Sequence, residues 1–186
     1  MLSPDNIIAI TRSWLTSVVI ELNLCPFAKA TVEQASIHFA VNQTAEPIQL
    51  LSTLHQELLR LRASPDIETT LVIFPNALVD FLDYNAFLAT VDDWLVSEGL
   101  EGEFQVASFH PDYQFAGTAA ADAENFTNRS PFPMLHLLRE SSVEWAIASH
   151  PNVHSIPENN IETMRRLGSR QLLQRLAQCF RDTPAG

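Results

Sequence analysis

The chain contains little lysine, and its shortage of positive charge excludes two kinds of partner. Lys29 is the only lysine, and eleven basic residues stand against twenty-two acidic ones, which gives a net charge of −11. A charge of this sign and size repels phosphate backbones and anionic membrane surfaces. We therefore expect neither a nucleic-acid partner nor a membrane partner.

Cysteine, glycine and long apolar runs are also scarce. Two cysteines, Cys25 and Cys179, provide no disulfide framework and fit a reducing compartment. Five glycines leave little material for a Gly-rich phosphate loop or a dinucleotide-binding fingerprint, and neither motif occurs. No apolar run approaches the roughly 20 residues needed to span a bilayer, and the N-terminus lacks the pattern of a secretory signal. These features predict a cytoplasmic protein.

The remaining composition is that of an ordinary globular protein. Of the 186 residues, 46% are apolar and 18% are charged, which suits one domain with a complete hydrophobic core. We expect a single domain over residues 1–186.

Hydrophobic periodicity alternates between helix and strand along the chain. It predicts strands over residues 36–41, 71–74 and 104–109, and helices over residues 4–22, 48–61, 81–95, 134–149 and 157–180. Crossovers long enough to hold a helix favour βαβ units. The predicted fold class is α/β or α+β, with a small, mostly parallel sheet packed by N-terminal and C-terminal helices. A ferredoxin-like arrangement is the alternative. Cys179 lies on the apolar stripe of the last helix and is predicted to be a packed core thiol.

The first candidate site surrounds Cys25. Pro26 breaks the first helix and suits the first position of a new one, so Cys25 is predicted to be the N-cap of a short helix. The helix dipole and the ammonium group of Lys29 would both favour an ionised thiol there. Cys25 and Lys29 are therefore catalytic candidates. The alternative is that Cys25 is a small buried hydrophobe at a helix kink.

The second candidate site follows the third strand, where the carboxyl end of an α/β sheet commonly binds ligands. His110 could act there as a general acid or base, a metal ligand or a clamp for a substrate. Tyr113 and Gln114 are predicted to contact the substrate. The alternatives are that His110 caps the strand end and that Tyr113 and Gln114 satisfy the backbone of a loop. The irregular stretch over residues 110–133 is long enough to favour a functional role.

The third candidate site lies ahead of the predicted helix over residues 134–149. Pro133 suits the first turn of that helix, and an arginine upstream of a helix N-terminus is typical of an anion site. The alternative for Arg139 is a surface ion pair. The substrate-binding candidates in this part of the chain are Asn128, Arg129, Ser130, His136 and Arg139.

Three segments in combination resemble the bacterial domain-of-unknown-function 1415 family. They are Leu24-Cys25-Pro26-Phe27-Ala28-Lys29, Ala107-Ser108-Phe109-His110-Pro111 with Gln114-Phe115-Ala116-Gly117, and Asn128-Arg129-Ser130-Pro131-Phe132-Pro133 with Leu135-His136-Leu137-Leu138-Arg139-Glu140. The resemblance runs from the first helix to about Glu144. It implies a bacterial, cytosolic, single-domain protein and no catalytic assignment.

Three functional hypotheses follow. The first is a small cytosolic enzyme, a thiol-dependent hydrolase or transferase acting on a small anionic metabolite, with Cys25 as nucleophile or redox thiol and His110 as acid or base. The second is a metal- or haem-binding protein that uses Cys25, His110 and His136, although the paired spacing of a structural metal site is absent and no metal ligand is assigned. The third is a non-catalytic ligand-binding or interaction module. The sequence names no cofactor and leaves a homodimer open.

Overall fold

The computed structural model describes residues 2–150 and 152–181, and within them helices and strands alternate. The helices are α1 (Pro4–Trp14), α2 (Ala28–Glu33), α3 (Pro47–Ala63), α4 (Phe81–Ser97), α5 (Glu140–Ser149), α6 (Ile156–Leu167) and α7 (Ser169–Arg181). The strands are β1 (Ile37–Val41), β2 (Thr69–Ile73), β3 (Phe104–Phe109) and β4 (Met134–Arg139). The single domain predicted over residues 1–186 includes Met1, Pro151 and residues 182–186, which lie outside the described part.

The four strands form one mixed sheet in the order β1-β2-β4-β3. β1 and β2 pair in parallel, whereas β4 lies between β2 and β3 and runs antiparallel to both. The α/β class is confirmed, but one of the three neighbouring pairs is parallel, so the pairing is less parallel than the sequence predicted. The parallel β1–β2 pair also excludes the antiparallel ferredoxin-like alternative.

The prediction of a helix over residues 134–149 is wrong in its first half. Residues 134–139 form β4, and the helix begins only at Glu140. Met134, Leu135 and Leu137 are completely buried, because β4 lies between two other strands and both of its faces are covered. A nearly continuous apolar run fits such a strand as well as it fits a buried helix, so periodicity alone could not separate the two.

Two of the predicted helices are interrupted. The first helix continues beyond Trp14 as a π-helical segment, Leu15–Ile20. The predicted helix over residues 157–180 divides into α6 and α7 at Gly168, whose φ is +76° and ψ is 151°. That combination is accessible almost exclusively to glycine, so the sequence did contain a signal for this break.

Two hydrophobic cores cover the two faces of the sheet. On the α1 face, Leu71, Ile73 and Met134 pack with Ile10 and Trp14 of α1. The buried thiol of Cys179 belongs to this core, which confirms the prediction of a packed core thiol. On the α4 face, the alternate strand residues Val72, Leu135 and Leu137 pack with side chains of α3 and α4 such as Leu58 and Tyr84.

On the α4 face, the hydroxyl of Tyr84 forms hydrogen bonds with the last residue of β3 and the first residue of β4. Its hydroxyl donates to the carbonyl of Met134 at 2.9 Å and accepts from the backbone N–H of Phe109 at 3.0 Å. This places the end of β3, and the loop that follows it, at a defined position against α4.

In the described part of the chain, no helix has both the length and the apolar character needed to cross a membrane.

Candidate functional site

A cavity of about 480 Å³ lies on the α1 face, beside the end of β3. This volume is within the range of about 300–1,000 Å³ that is typical of small-molecule pockets. Its apolar lining consists of Val19, Leu24, Phe109, Phe115, Pro157 and Ile161. Its polar lining consists of Cys25, Thr118, Glu124, Thr127, Asn128 and Asn160. The pocket therefore combines a predominantly apolar wall with one thiol, one carboxylate and several neutral polar groups.

The π-helical segment and the turn after it place Cys25 at this pocket. The backbone N–H of Leu24 donates to the carbonyl of Val19 at 2.9 Å, and Asn23 adopts a positive φ of 54° at the turn. The amide of Asn160 then donates to the carbonyl of Leu24 at 2.9 Å, which ties the turn to α6. The thiol that follows is half-buried.

The structure contradicts the predicted N-cap at Cys25. α2 begins at Ala28, its N-cap is Phe27, and the carbonyl of Cys25 accepts only a turn-type hydrogen bond from Ala28. The ammonium of Lys29 is 3.9 Å from the carboxylate of Glu33, and both side chains are about two-thirds exposed. Pro26 does not interrupt the first helix either, because the helical segment already ends at Ile20 and the chain turns at Asn23, ahead of Pro26. Lys29 consequently lies on an exposed helix surface rather than in the pocket lining.

The structure places His110 on the opposite side of the sheet from Cys25. The side chains of successive strand residues alternate between faces, so Phe109 points to the α1 face and His110 to the α4 face. There the imidazole packs against the rings of Phe81 and Tyr84, with centroid distances of 5.3 Å and 5.0 Å. The predicted pairing of Cys25 with His110 as nucleophile and base is not formed.

Both ring nitrogens of His110 have backbone partners. Nδ1 accepts from the N–H of Asp112 at 3.0 Å, so the proton is assigned to Nε2, which donates to the carbonyl of Leu78 at 2.9 Å. Complete burial lowers the pKa of His110 and favours this neutral form. The residue caps the strand end, as the alternative interpretation of the sequence proposed.

Tyr113 and Gln114 stabilise the loop that follows β3. The hydroxyl of Tyr113 is 3.3 Å from that of Ser108, and its ring packs against Phe81 and Phe115. The amide of Gln114 donates to the carbonyl of Thr118 at 2.5 Å. Neither side chain lines the pocket, but together they hold the loop that supplies Phe115 and Thr118 to it.

Arg129 is buried inside this loop and is not presented to a ligand. Its guanidinium donates to the carbonyls of Tyr113 at 3.2 Å and Ala120 at 2.7 Å, and it lies 4.5 Å from the centroid of the Phe126 ring. Burial lowers the pKa of Arg129, and among the described residues no carboxylate forms an ion pair with it. The carbonyl of Arg129 accepts from the indole N–H of Trp14 at 3.0 Å.

The neighbours of Arg129 differ in exposure to the pocket. Asn128 lines it and donates from its amide to the carbonyl of Ser108 at 3.1 Å. Ser130 is buried, and its hydroxyl donates to the carbonyl of Phe132 at 2.7 Å. Because Met134–Arg139 is a strand, no helix begins directly after this segment. The anion site predicted at Asn128, Arg129 and Ser130 therefore lacks the helix dipole on which it depended.

His136 and Arg139 point to opposite faces of β4, because side chains alternate between the faces along a strand and these two residues are three positions apart. Nε2 of His136 is 2.6 Å from the hydroxyl of Thr69, which itself donates to the carbonyl of Leu137 at 2.6 Å. Nε2 of His136 is therefore assigned as the donor, and burial lowers the pKa of His136 to about 4. The guanidinium of Arg139 donates to the carbonyl of Leu61 in the last turn of α3 and to the carbonyls of Ser64 and Ile67 beyond it.

The described residues contain no group of three or more histidine, cysteine, aspartate or glutamate side chains that could hold a metal ion. Cys25 lines the pocket on the α1 face, His110 is enclosed on the α4 face, and His136 is bonded to Thr69 within the sheet. The three residues of the metal or haem hypothesis therefore do not converge on one site.

Several pocket residues were missed by the sequence interpretation. Pro157, Asn160 and Ile161 are spaced by three and one along α6, so they share one helix face, and that spacing was a usable signal. Glu124 comes from a 3₁₀-helical turn, Ala123–Thr127, whose approach to α6 depends on tertiary packing. Its carboxylate is 2.7 Å from the guanidinium of Arg165, which lowers the pKa of Glu124.

The charge of the pocket differs from the sequence-based expectation of an anion site. Among the described residues, the lining contains the carboxylate of Glu124 and no lysine or arginine. Arg165 compensates Glu124 from outside the lining, with 65% of its side chain exposed. An anionic ligand would be repelled by the Glu124 carboxylate and would find no cation among the described lining residues to bind it. The geometry suits a ligand that is mostly apolar and carries neutral or cationic polar groups.

Fold and pocket together define a mixed α/β protein with a pocket between one face of its sheet and the helices that cover it. The chain matches the family described as "Protein of unknown function (DUF1415)" over residues 6–174, nearly its whole length. It therefore belongs to that family, as the three hallmark segments indicated. No curated protein and no solved structure matches the chain.

Proposed function

We propose that this cytoplasmic bacterial protein binds a small, mostly apolar molecule in the pocket on the α1 face. The observation that carries the proposal is the lining itself: six apolar side chains surround the ligand space, and the thiol of Cys25 lies among them. The amides of Asn128 and Asn160 and the carboxylate of Glu124 would select a neutral or cationic polar group on the ligand.

Cys25 would contact the bound molecule, and no complete catalytic mechanism is proposed for its thiol. The hypothesis from the sequence required His110 as base and Lys29 as activator of the thiol. In the structure, the imidazole of His110 bonds to backbone groups on the α4 face, and the ammonium of Lys29 lies beside an exposed glutamate of α2. The guanidinium groups of Arg129 and Arg139 likewise donate hydrogen bonds to backbone carbonyls, so the structure gives no support to an anionic substrate.

A neutral fluorescent probe, N-phenyl-1-naphthylamine, tests the pocket directly. We expect the full-length protein to bind it, and we expect Ile161→Asn to weaken binding by about tenfold, because a polar amide would replace an apolar contact in the lining. Ile147→Asn is the matched control, since Ile147 is 48% exposed on α5 and does not line the pocket. Equal affinity of the two variants would overturn the proposal, and thermal unfolding checks that both are folded.

Alkylation by N-ethylmaleimide provides a second test of the same pocket. Cys25 is half-buried at the pocket, whereas Cys179 is 1% exposed. We expect one thiol of the native protein to react quickly, none in Cys25→Ser and one in Cys179→Ser. Saturating probe should slow the reaction of Cys25. Alkylation of Cys25 at an unchanged rate would show that the probe binds somewhere else.

A further inference from the structure

A second cavity, separate from the pocket on the α1 face, lies between the edge strand β1 and helix α3. Its volume is about 510 Å³. Except for Ala40 and Val41, every described residue in its lining carries a polar side chain. We call this cavity the β1 cleft. Asn42 and Gln43, which follow β1 directly, belong to its lining, so it lies at the carboxyl end of a strand, where α/β sheets commonly bind ligands.

The β1 cleft contains a buried carboxylate that packing does not require. Glu57 is 7% exposed and lies beside Leu54, Leu58 and Leu61, which form the inner stripe of α3. A carboxylate loses its hydration when it is buried, and that loss costs several kcal/mol unless partners compensate for it. An apolar side chain at this position would extend the leucine stripe. The presence of a glutamate there therefore points to a role in the cleft.

Glu57 is held in a fixed orientation by two partners. Its Oε2 is 3.2 Å from Nε2 of His38 and 3.1 Å from Nε of Arg60. In the described part of the chain, Oε1 of Glu57 and Nδ1 of His38 form no hydrogen bond with another protein group. Because 32% of the His38 side chain is exposed, a molecule in the cleft can reach the imidazole.

Neutral hydrogen-bonding side chains surround this pair. Gln49, Ser52 and Gln56 follow one another on one face of α3 and line the cleft, and within the described residues their side chains make no hydrogen bond. The amide of Asn42 is fixed by its donation to the hydroxyl of Thr53 at 2.6 Å. The cleft thus offers amide and hydroxyl groups that both donate and accept, together with one carboxylate that is already compensated.

We propose that the β1 cleft binds a neutral polyhydroxylated molecule, such as a monosaccharide. Vicinal hydroxyl groups both donate and accept hydrogen bonds, which matches the amides of Gln49 and Gln56 and the carboxylate of Glu57. A phosphorylated ligand would be repelled by the carboxylate of Glu57, because the cation beside this carboxylate is already paired with it. An apolar ligand would leave most of the lining groups without partners.

NMR titration of the full-length protein with D-glucose and D-ribose tests this proposal. We expect the side-chain amide resonances of Asn42, Gln49 and Gln56 and the imidazole resonances of His38 to shift, while those of Asn128 and Asn160 in the other pocket stay unchanged. Absence of these shifts at about 50 mM sugar would overturn the proposal, since even weak sugar sites have millimolar affinity. Binding of glucose 6-phosphate that is more than about tenfold tighter than that of glucose would also overturn it.

Two variants locate the binding in the cleft. Gln56→Leu should weaken sugar binding by about fivefold or more, because it removes a donor and an acceptor from an exposed position without disturbing the core. Gln171→Leu, an exposed glutamine on α7, is the matched control. Glu57→Gln should also weaken binding, because a neutral amide oxygen accepts hydrogen bonds from sugar hydroxyl groups more weakly than a carboxylate oxygen does. Unchanged affinity of Gln56→Leu would exclude the cleft as the binding site. Loss of probe binding in the other pocket would leave this result unaffected.

Discussion

At the scale of single residues, Arg129 shows how a buried cation can serve structure instead of recognition. Its guanidinium binds two backbone carbonyls and a ring face, and all three partners belong to the segment between residues 113 and 126. Buried polar groups must be satisfied, and here a single side chain satisfies two carbonyls that no secondary structure pairs. Arg129 therefore maintains the loop that supplies one wall of the pocket.

Substitution of Arg129 should destabilise the protein substantially. We expect Arg129→Ala to lower the free energy of unfolding by about 2–4 kcal/mol, because the carbonyls of Tyr113 and Ala120 would lose their partners and Phe126 its cation–π contact. Urea denaturation measures the change. The matched control is Arg165→Ala, which breaks an ion pair whose arginine is 65% exposed and should therefore cost much less than the loss of Arg129. Equal losses in the two variants would contradict the structural role of Arg129.

His136 is a second single residue from which we expect a measurable effect, a dependence of stability on pH. Burial lowers its pKa to about 4, below the ordinary value of 6.5, so the unfolded chain binds a proton more readily than the folded protein between these values. The stabilisation from the neutral imidazole is complete above the unfolded pKa and is lost as the pH falls towards the folded pKa. We expect a loss on the order of 2 kcal/mol between about pH 7 and about pH 5.

Urea denaturation of the native protein and of His136→Gln at both pH values tests this expectation. Glutamine can still donate to the hydroxyl of Thr69 but does not titrate, so the variant should lose less stability on acidification than the native protein does. Burial lowers the pKa of His110 as well, so part of the pH dependence will remain in the variant. An identical pH dependence in both proteins would refute the role of His136.

At the scale of secondary-structure elements, β4 and α5 are adjacent in sequence but differ sharply in burial. β4 lies between two strands and contains fully buried residues, whereas α5 contains none, and Trp145 on α5 is 69% exposed. Local opening requires little free energy where few apolar contacts hold an element in place. The two elements should therefore exchange their amide hydrogens at very different rates.

Hydrogen exchange over residues 134–149 distinguishes the observed arrangement from the helix that periodicity predicted. We expect the amides of Met134–Arg139 to be among the slowest in the protein, and those of Glu140–Ser149 to exchange at least about a hundredfold faster, which corresponds to an opening free energy lower by about 3 kcal/mol. A continuous helix would instead protect both halves to a similar degree. Mass spectrometry of peptic fragments or NMR provides the measurement.

At the scale of the whole molecule, the position of β4 decides which candidate residues can meet. The chain leaves β3, runs through the loop over residues 110–133 and returns between β2 and β3 as an antiparallel strand. Phe109 and His110 are neighbours in sequence, but the sheet separates their side chains, so Phe109 lines the pocket while His110 is enclosed on the α4 face. The same geometry separates Cys25 from His110.

Local patterns in the sequence were sufficient for most of the elements. The alternation of Ile37, Phe39 and Val41 identified β1, and the apolar spacing within residues 81–95 identified α4, because both patterns arise from the burial of one side of an element. The packed position of Cys179 followed from its helical stripe in the same way. Family membership also followed from the sequence, through three segments in combination.

The pocket on the α1 face was only partly accessible to the same reasoning. Cys25 and Asn128 were identified as candidates, but Lys29, His110 and Arg129 were assigned roles that depended on proximity to a ligand. A polar side chain beside an expected site looks the same in the sequence whether it faces a ligand or a backbone carbonyl. Which of the two it meets depends on strand order and on the path of the loop, and both are set by contacts between residues that are distant in the chain.

Sequence alone therefore determined the α/β class, the alternation of elements, the family and the acidic character of the protein, since each depends on composition or on neighbouring residues. Tertiary structure decided the antiparallel insertion of β4, the burial of Glu57 on α3, and the placement of Cys25 in a pocket without His110. Those features arise where segments far apart in sequence pack together, and the free energy of that packing selects one arrangement among several that local patterns allow.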